Sequence, residues 1–164
     1  MTFIQPIIKE NEKVSLHKFN AASIPAYNGT QINDDVEKVC FLDLETTGLN
    51  KDEDKIIEIA LKLVAINKKT GELLGIISEY QSFQDPEFPI DERITMINGI
   101  NDEMVKGFSI EWSAVHDIMN DADIIVAHNA VFDRGFMDQA IDISKEKIWA
   151  CSVNDIDWLD RGFT

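Results

Sequence analysis

The chain predicts an α/β domain built on a mixed sheet of about five strands flanked by helices. Three observations carry that expectation. Residues 38–45 and 55–66 read as strands, and a third strand returns at 72–83 after the turn residues "NKKTG". The run "ADIIVAH", residues 122–128, is short and almost wholly apolar, as expected of a strand covered on both faces. Helical periods stand on either side of it, so hairpin-joined strands give way to alternating helices and strands.

Residues 1–37 read as an N-terminal extension or linker. Their stretch "NAASIPAYNGTQINDD" is rich in small and turn-forming residues and keeps no period, though "IQPII" and "VSLHKF" are apolar enough to add short strands. The domain proper is expected over 38–164. In its second strand Ile57, Ile59, Leu61 and Leu63 share one face. Short helical turns punctuated by Gly99 and Gly107 follow the hairpin. Ser109 is placed to cap a helix that carries Trp112, Val115, Ile118 and Met119 on one side. A further helix is expected at about 130–142, with Phe132, Phe136 and Ala140 four residues apart, and "KIWACS" reads as the fifth strand.

The chain has 164 residues, 45% hydrophobic and 27% charged, which suits one soluble domain with a sizeable core. A formal charge of −15 excludes the broad basic footprint of a protein that grips duplex nucleic acid unaided. It leaves room for a small metal-bridged site that holds one nucleic-acid end, because bound cations dominate the local field. Cys40 and Cys151 fit neither a disulfide framework nor a zinc pattern and read as reduced core residues of a cytoplasmic protein. The start "MTFIQPIIKENEK" does not look like a secretion signal, and no stretch is long and apolar enough to span a membrane.

The chemistry concentrates at "VCFLDLETTGL", residues 39–49, where a strand bound for the core ends in Asp43 and Glu45. Side chains alternate along a strand, so these two carboxylates share a face while Leu42 and Leu44 take the other. They repel, and partial burial raises one pKa unless a positive group stands between them. Hard divalent cations prefer such oxygen ligands, and magnesium keeps room for phosphate oxygens. A solvated strand end explains most isolated pairs of this kind. A second element, "AHNAVFDRGF" (127–136), sets Asp133 in the first turn of a helix, where the dipole favours a carboxylate.

"FLDLETTGL" and "AHNAVFDRGF", in that order and separated by a hairpin and "INGIND", resemble the first two motifs of the DEDD 3′–5′ exonuclease superfamily. The likeness is to the branch that holds the epsilon proofreading subunit of bacterial DNA polymerase III and RNase T, and it covers residues 38–164. The resemblance implies a ribonuclease H-like fold and hydrolysis of the terminal phosphodiester of single-stranded DNA or RNA with two Mg2+ or Mn2+ ions. On that likeness Asp43, Glu45 and Asp133 are the metal ligands and catalytic carboxylates. Thr46, Thr47 and Gly48 meet the terminal nucleotide, Asn98 and Phe132 line its pocket, and His128 and Asn129 hold the strand-to-helix turn beside it. A DNA polymerase or repair complex is the implied partner.

The family also carries a third motif, His-x-x-x-x-Asp, which supplies another ligand and the general base. Here His17, His116 and His128 all precede Asp133. His116 with Asp121 and His128 with Asp133 reproduce the spacing, but one pair lies before the second motif and the other is that motif. Asp155, Asp157 and Asp160, in "VNDIDWLDRGFT", resemble the segment that leads toward the third motif. The fold is therefore expected to be C-terminally incomplete: a fragment, a truncation or the ordered part of a longer chain, with natural degeneracy as the alternative. A protein ending at Thr164 is expected to be inactive or nearly so. The competing function is a catalytically inactive, nuclease-like binding module in a replication or repair complex. A calcium loop starting at Asn50 fails, since Lys55 and Leu61 would occupy its glycine and glutamate positions. Nothing beyond the paired acids supports a two-carboxylate glycosidase.

Overall fold

The computed structural model describes residues 8–10, 13–15, 23–29 and 35–160. The expectations for the leader sequence, for His17 and for residues 161–164 lie outside the described residues. The elements run β1 (Ile8–Glu10), β2 (Lys13–Ser15), β3 (Val36–Thr46), β4 (Ile56–Asn67), β5 (Leu73–Phe83), α1 (Glu92–Asn98), α2 (Asp102–Val105), α3 (Trp112–Asp121), β6 (Ile124–Ala127), α4 (Ala130–Ala140), α5 (Ile143–Glu146) and β7 (Ile148–Cys151). Strands β1 and β2 form a separate antiparallel pair. The other five make the predicted mixed sheet in the order β5-β4-β3-β6-β7. Its hairpin-joined strands are antiparallel, while β3, β6 and β7 run parallel.

The period-two pattern of β3 decides which way the domain folds. Cys40, Leu42 and Leu44 are buried in the main core with Ile59, Leu61, Leu63 and Ile125. Helix α3 covers this layer with Val115, Ile118 and Met119, and α4 with Phe136 and Met137. The alternate residues of β3 include Phe41, 42% exposed, and the two carboxylates. Leu63 is 1% exposed, so Leu63→Ala should cost about 2–5 kcal/mol through lost burial and the cavity left behind. Denaturant titration checks this, with Leu49→Ala at an 86% exposed position as the near-neutral control.

Two expectations change. Strand β6 is four residues long, and only Ile125 and Ala127 of it are buried. Both long helices pack on the Leu42 face, while Ile124 and Val126 on the other face are only half-buried. Helix α3 begins at Trp112 with Glu111 at its N-cap, and Ser109 does not cap it. Tertiary bonds set that entry instead. Ile110 N–H donates to Gln84 Oε1 at 2.9 Å and Glu111 N–H to the Tyr80 hydroxyl at 2.8 Å, tying the segment to β5 and the residue that follows it.

Part of the N-terminal extension lies along the outer edge of the sheet. Ile76 N–H donates to Pro25 O at 2.9 Å, and Tyr27 N–H to Ile76 O at 2.7 Å. Gly75, at φ +153°, permits this approach, since a Cβ there would stand 2.8 Å from Pro25 O. The contact satisfies edge groups of β5 that would otherwise be open to another chain.

Candidate active site

The site forms where β3 outruns its parallel neighbour. Pairing with β6 stops at Phe41 opposite Val126, while pairing with β4 continues to Thr46. This leaves a crevice at the carboxyl end of the parallel strands, where one neighbour of β3 has ended. Beyond that point Leu44 N–H donates to Asp133 Oδ1 at 3.1 Å. Helix α4 follows β6 almost at once, and its N-cap, Asn129, takes a left-handed conformation at φ +63°, which asparagine tolerates better than most residues. The turn brings Asp133, in the first turn of α4 and 3% exposed, against β3.

The three predicted carboxylates sense one another. Burial, followed by the charge of Glu58, pushes Asp43 above the usual carboxylate range, while His128 pulls it back. Glu45 is raised by burial and then by Asp43, against a hydrogen bond from the Asn98 side chain. Asp133 is pushed up to about 7, first by burial and then by Asp43, with a smaller push from Glu45, although the Leu44 N–H stabilises its charge. Burial in one crevice and mutual repulsion thus favour a bound proton or cation.

A fourth carboxylate, Glu58, was missed from the sequence. It stands directly across from Glu45 in the antiparallel pair, and Gln81 Nε2 donates to its Oε1 at 2.7 Å. The alternation that buries Ile57 and Ile59 places residue 58 on the Asp43 face, so parity alone held the signal. Only the register between β3 and β4 puts it opposite Glu45.

Of the remaining candidates, Asn98 and His128 interact with the site carboxylates, and the others make contacts of their own. Thr46 is buried, and its hydroxyl donates to Gly48 O at 2.5 Å. Thr47 donates its hydroxyl to Asp54 Oδ1 at 3.1 Å and accepts from Lys55 N–H at 3.0 Å, so both threonine hydroxyls are engaged inside the turn. Asn98 closes α1 with its side chain bonded to Glu45 and to Ile100 N–H. His128 is exposed, with Nδ1 3.0 Å from Ser152 Oγ, a link between the ends of β6 and β7. The Phe132 ring turns toward Phe136, centroids 5.1 Å apart, and packs against the main core.

The donor set is chemically suited to a hard divalent cation, because it consists of carboxylate oxygens whose repulsion a cation relieves. Among the described residues, however, no three His, Cys, Asp or Glu side chains form a ready cage for a metal ion. Surface hollows of about 330 and 390 Å³ lie beside α1 and α2, and none of the carboxylates of the crevice lines them.

Comparison with known proteins bears on the family and the fold. The family model described as Exonuclease, of RNase T type, matches residues 40–151. A DNA polymerase III of PolC type from Listeria welshimeri is 37% identical over an alignment of 124 positions that covers 70% of this chain and 8% of that protein. The corresponding polymerase of Halalkalibacterium halodurans is 40% identical over an alignment of 122 positions that covers 73% of this chain and 7% of its own. The chain therefore spans only a small part of the length of these relatives. E. coli exonuclease I, in a complex with a dA16 oligonucleotide, shares the fold with a TM-score of 0.50 at 17% identity, over 61% of this chain and 22% of that one.

Proposed function

The chain belongs to the RNase T-type exonuclease family, and from that premise we propose a metal-dependent 3′–5′ exonuclease domain. It hydrolyses the terminal phosphodiester of a single-stranded DNA or RNA end and releases nucleoside 5′-monophosphates. The observation that carries this reading is Asp133, buried in the first turn of α4, hydrogen-bonded to β3 between Asp43 and Glu45, and raised by both.

Asp43, Glu45 and Asp133 would hold two divalent cations, Mg2+ or Mn2+, which when bound neutralise charge on the scissile phosphate and acidify the attacking water. The protein's own groups hold that set in place. Asn98 steadies Glu45, Leu44 N–H orients Asp133, and His128 with Ser152 and Asn129 hold the turns around the crevice. The turn of Thr46, Thr47 and Gly48 presents its backbone to the terminal nucleotide, with Asn98 and Phe132 beside it. The PolC-type polymerases among the relatives support a proofreading role within or beside a DNA polymerase. Both cysteines are free, and burial pushes the Cys40 thiol up to about 12, in keeping with a cytoplasmic protein. Among the described residues no helix is long and apolar enough to cross a membrane.

The test is hydrolysis of a 5′-labelled oligonucleotide by the full-length protein. Mg2+ or Mn2+ should yield a ladder that shortens from the 3′ end together with 5′-mononucleotides, and EDTA should stop it. The competing reading is an inactive nuclease-like binding module. Tight oligonucleotide binding without mononucleotide release in either metal would decide for that reading.

A further inference from the structure

We propose that Asp54 is a positioning residue for the terminal nucleotide, its carboxylate forming the post around which the Thr47–Asn50 turn is wound. The proposal deepens the exonuclease reading and rests on it for the identity of the ligand.

Both carboxylate oxygens are engaged by the turn. Oδ1 accepts from the Thr47 hydroxyl at 3.1 Å and Oδ2 from Asn50 N–H at 2.8 Å. The main chain closes around this centre through Asp54 N–H to Asn50 O at 2.7 Å and Thr47 N–H to Lys55 O at 2.9 Å. Gly48 lies directly on the carboxylate, since a Cβ there would stand 2.4 Å from Asp54 Oδ2 and 2.6 Å from its Cγ. Gly48 is thus needed for a close approach, and the path of residues 47–50 depends on an acid that follows them in sequence.

The turn begins directly beyond the strand end that carries Asp43 and Glu45, and its far side is tied to α4. Gln139 Nε2 donates to Asp52 Oδ1 at 2.8 Å, and a Cβ on Gly135 would meet Lys51 Cδ at 3.2 Å. The segment therefore braces both halves of the crevice, with Asp54 at its centre. Among the described residues the N–H groups of Gly48 and Leu49 donate to no hydrogen bond, so the wound turn keeps backbone donors free beside the carboxylates. Engagement of both Asp54 oxygens by N–H and O–H donors fits a structural post better than a metal ligand.

The experiment measures the affinity of the full chain for a 5′-fluorescein single-stranded DNA by anisotropy in Ca2+, alongside melting temperature. Asp54→Ala should weaken binding about tenfold or more, the scale of one or two lost hydrogen bonds. Asp54→Asn keeps an acceptor for Asn50 N–H and offers a donor to Thr47 Oγ, so it should bind within about threefold of wild type. Gly48→Ala, which displaces the carboxylate, should behave like Asp54→Ala. Wild-type affinity in Asp54→Ala overturns the proposal and leaves the exonuclease reading standing. Equal losses in Asp54→Ala and Asp54→Asn that follow a fall in melting temperature also overturn it. A wild-type chain that binds no oligonucleotide removes the exonuclease reading, and the proposal falls with it.

Discussion

Asp43→Ala is expected to remove both metal-dependent hydrolysis and the stabilisation of the fold by metal. The charge of Asp43 raises both Glu45 and Asp133, so it stands electrically between them. A cation held there supplies several kcal/mol of transition-state stabilisation. At a factor of ten per 1.36 kcal/mol, losing it should lower the rate by about 10³-fold or more. Such a cation would bind the folded chain and not the unfolded one. At a hundred times its dissociation constant it adds about 2.7 kcal/mol, which raises the melting temperature of a domain this size by roughly 5–10 °C. The two readouts are independent. Loss of hydrolysis with an unchanged metal-induced shift in melting temperature would place Asp43 in chemistry but not in metal binding. An active Asp43→Ala protein would overturn the assignment of the site.

The parts of this site that follow from local periodicity were legible in the chain. Alternation along "FLDLE" puts Asp43 and Glu45 on one face and Leu42 and Leu44 in the core, and both placements hold in the fold. The strand-to-helix switch at "AHNAVFD" put Asp133 in the first turn, which is where α4 carries it. What was missed depends on contacts between distant segments. Glu58 enters the site only through the β3–β4 register, and Asp54 gains its importance from a glycine that presses on its carboxylate. Ser109 looked like a cap because its local sequence fits one, yet bonds to Gln84 and Tyr80 fix where α3 begins. Strand β6 is apolar throughout but is roofed by helices on one side, a matter of layer arrangement that composition does not encode.

Asp133→Asn should stabilise the metal-free protein at pH 8 while abolishing hydrolysis. The folded-state pKa of Asp133 is about 7, against an ordinary value of 3.8, so the native state holds a proton that the unfolded state has already released. Between these values the folded chain binds more protons at this site, so the contribution of Asp133 to stability falls as pH rises from about 4 to 7, then levels off. At 1.36 kcal/mol per unit the loss is at most about 4 kcal/mol, and less where Asp43 and Glu45 share the proton. Asparagine is neutral at every pH in this window, and its Oδ1 can still accept from Leu44 N–H. The difference in unfolding free energy between variant and wild type, measured by urea titration in EDTA, should therefore be small near pH 4 and grow to about 2–4 kcal/mol by pH 8. Adding Mn2+ should stabilise wild type and leave the variant nearly unchanged, so the gap narrows or reverses. A difference that stays constant from pH 4 to 8 would mean that Asp133 is charged throughout, and that the strain in the crevice is borne by Asp43 and Glu45 instead.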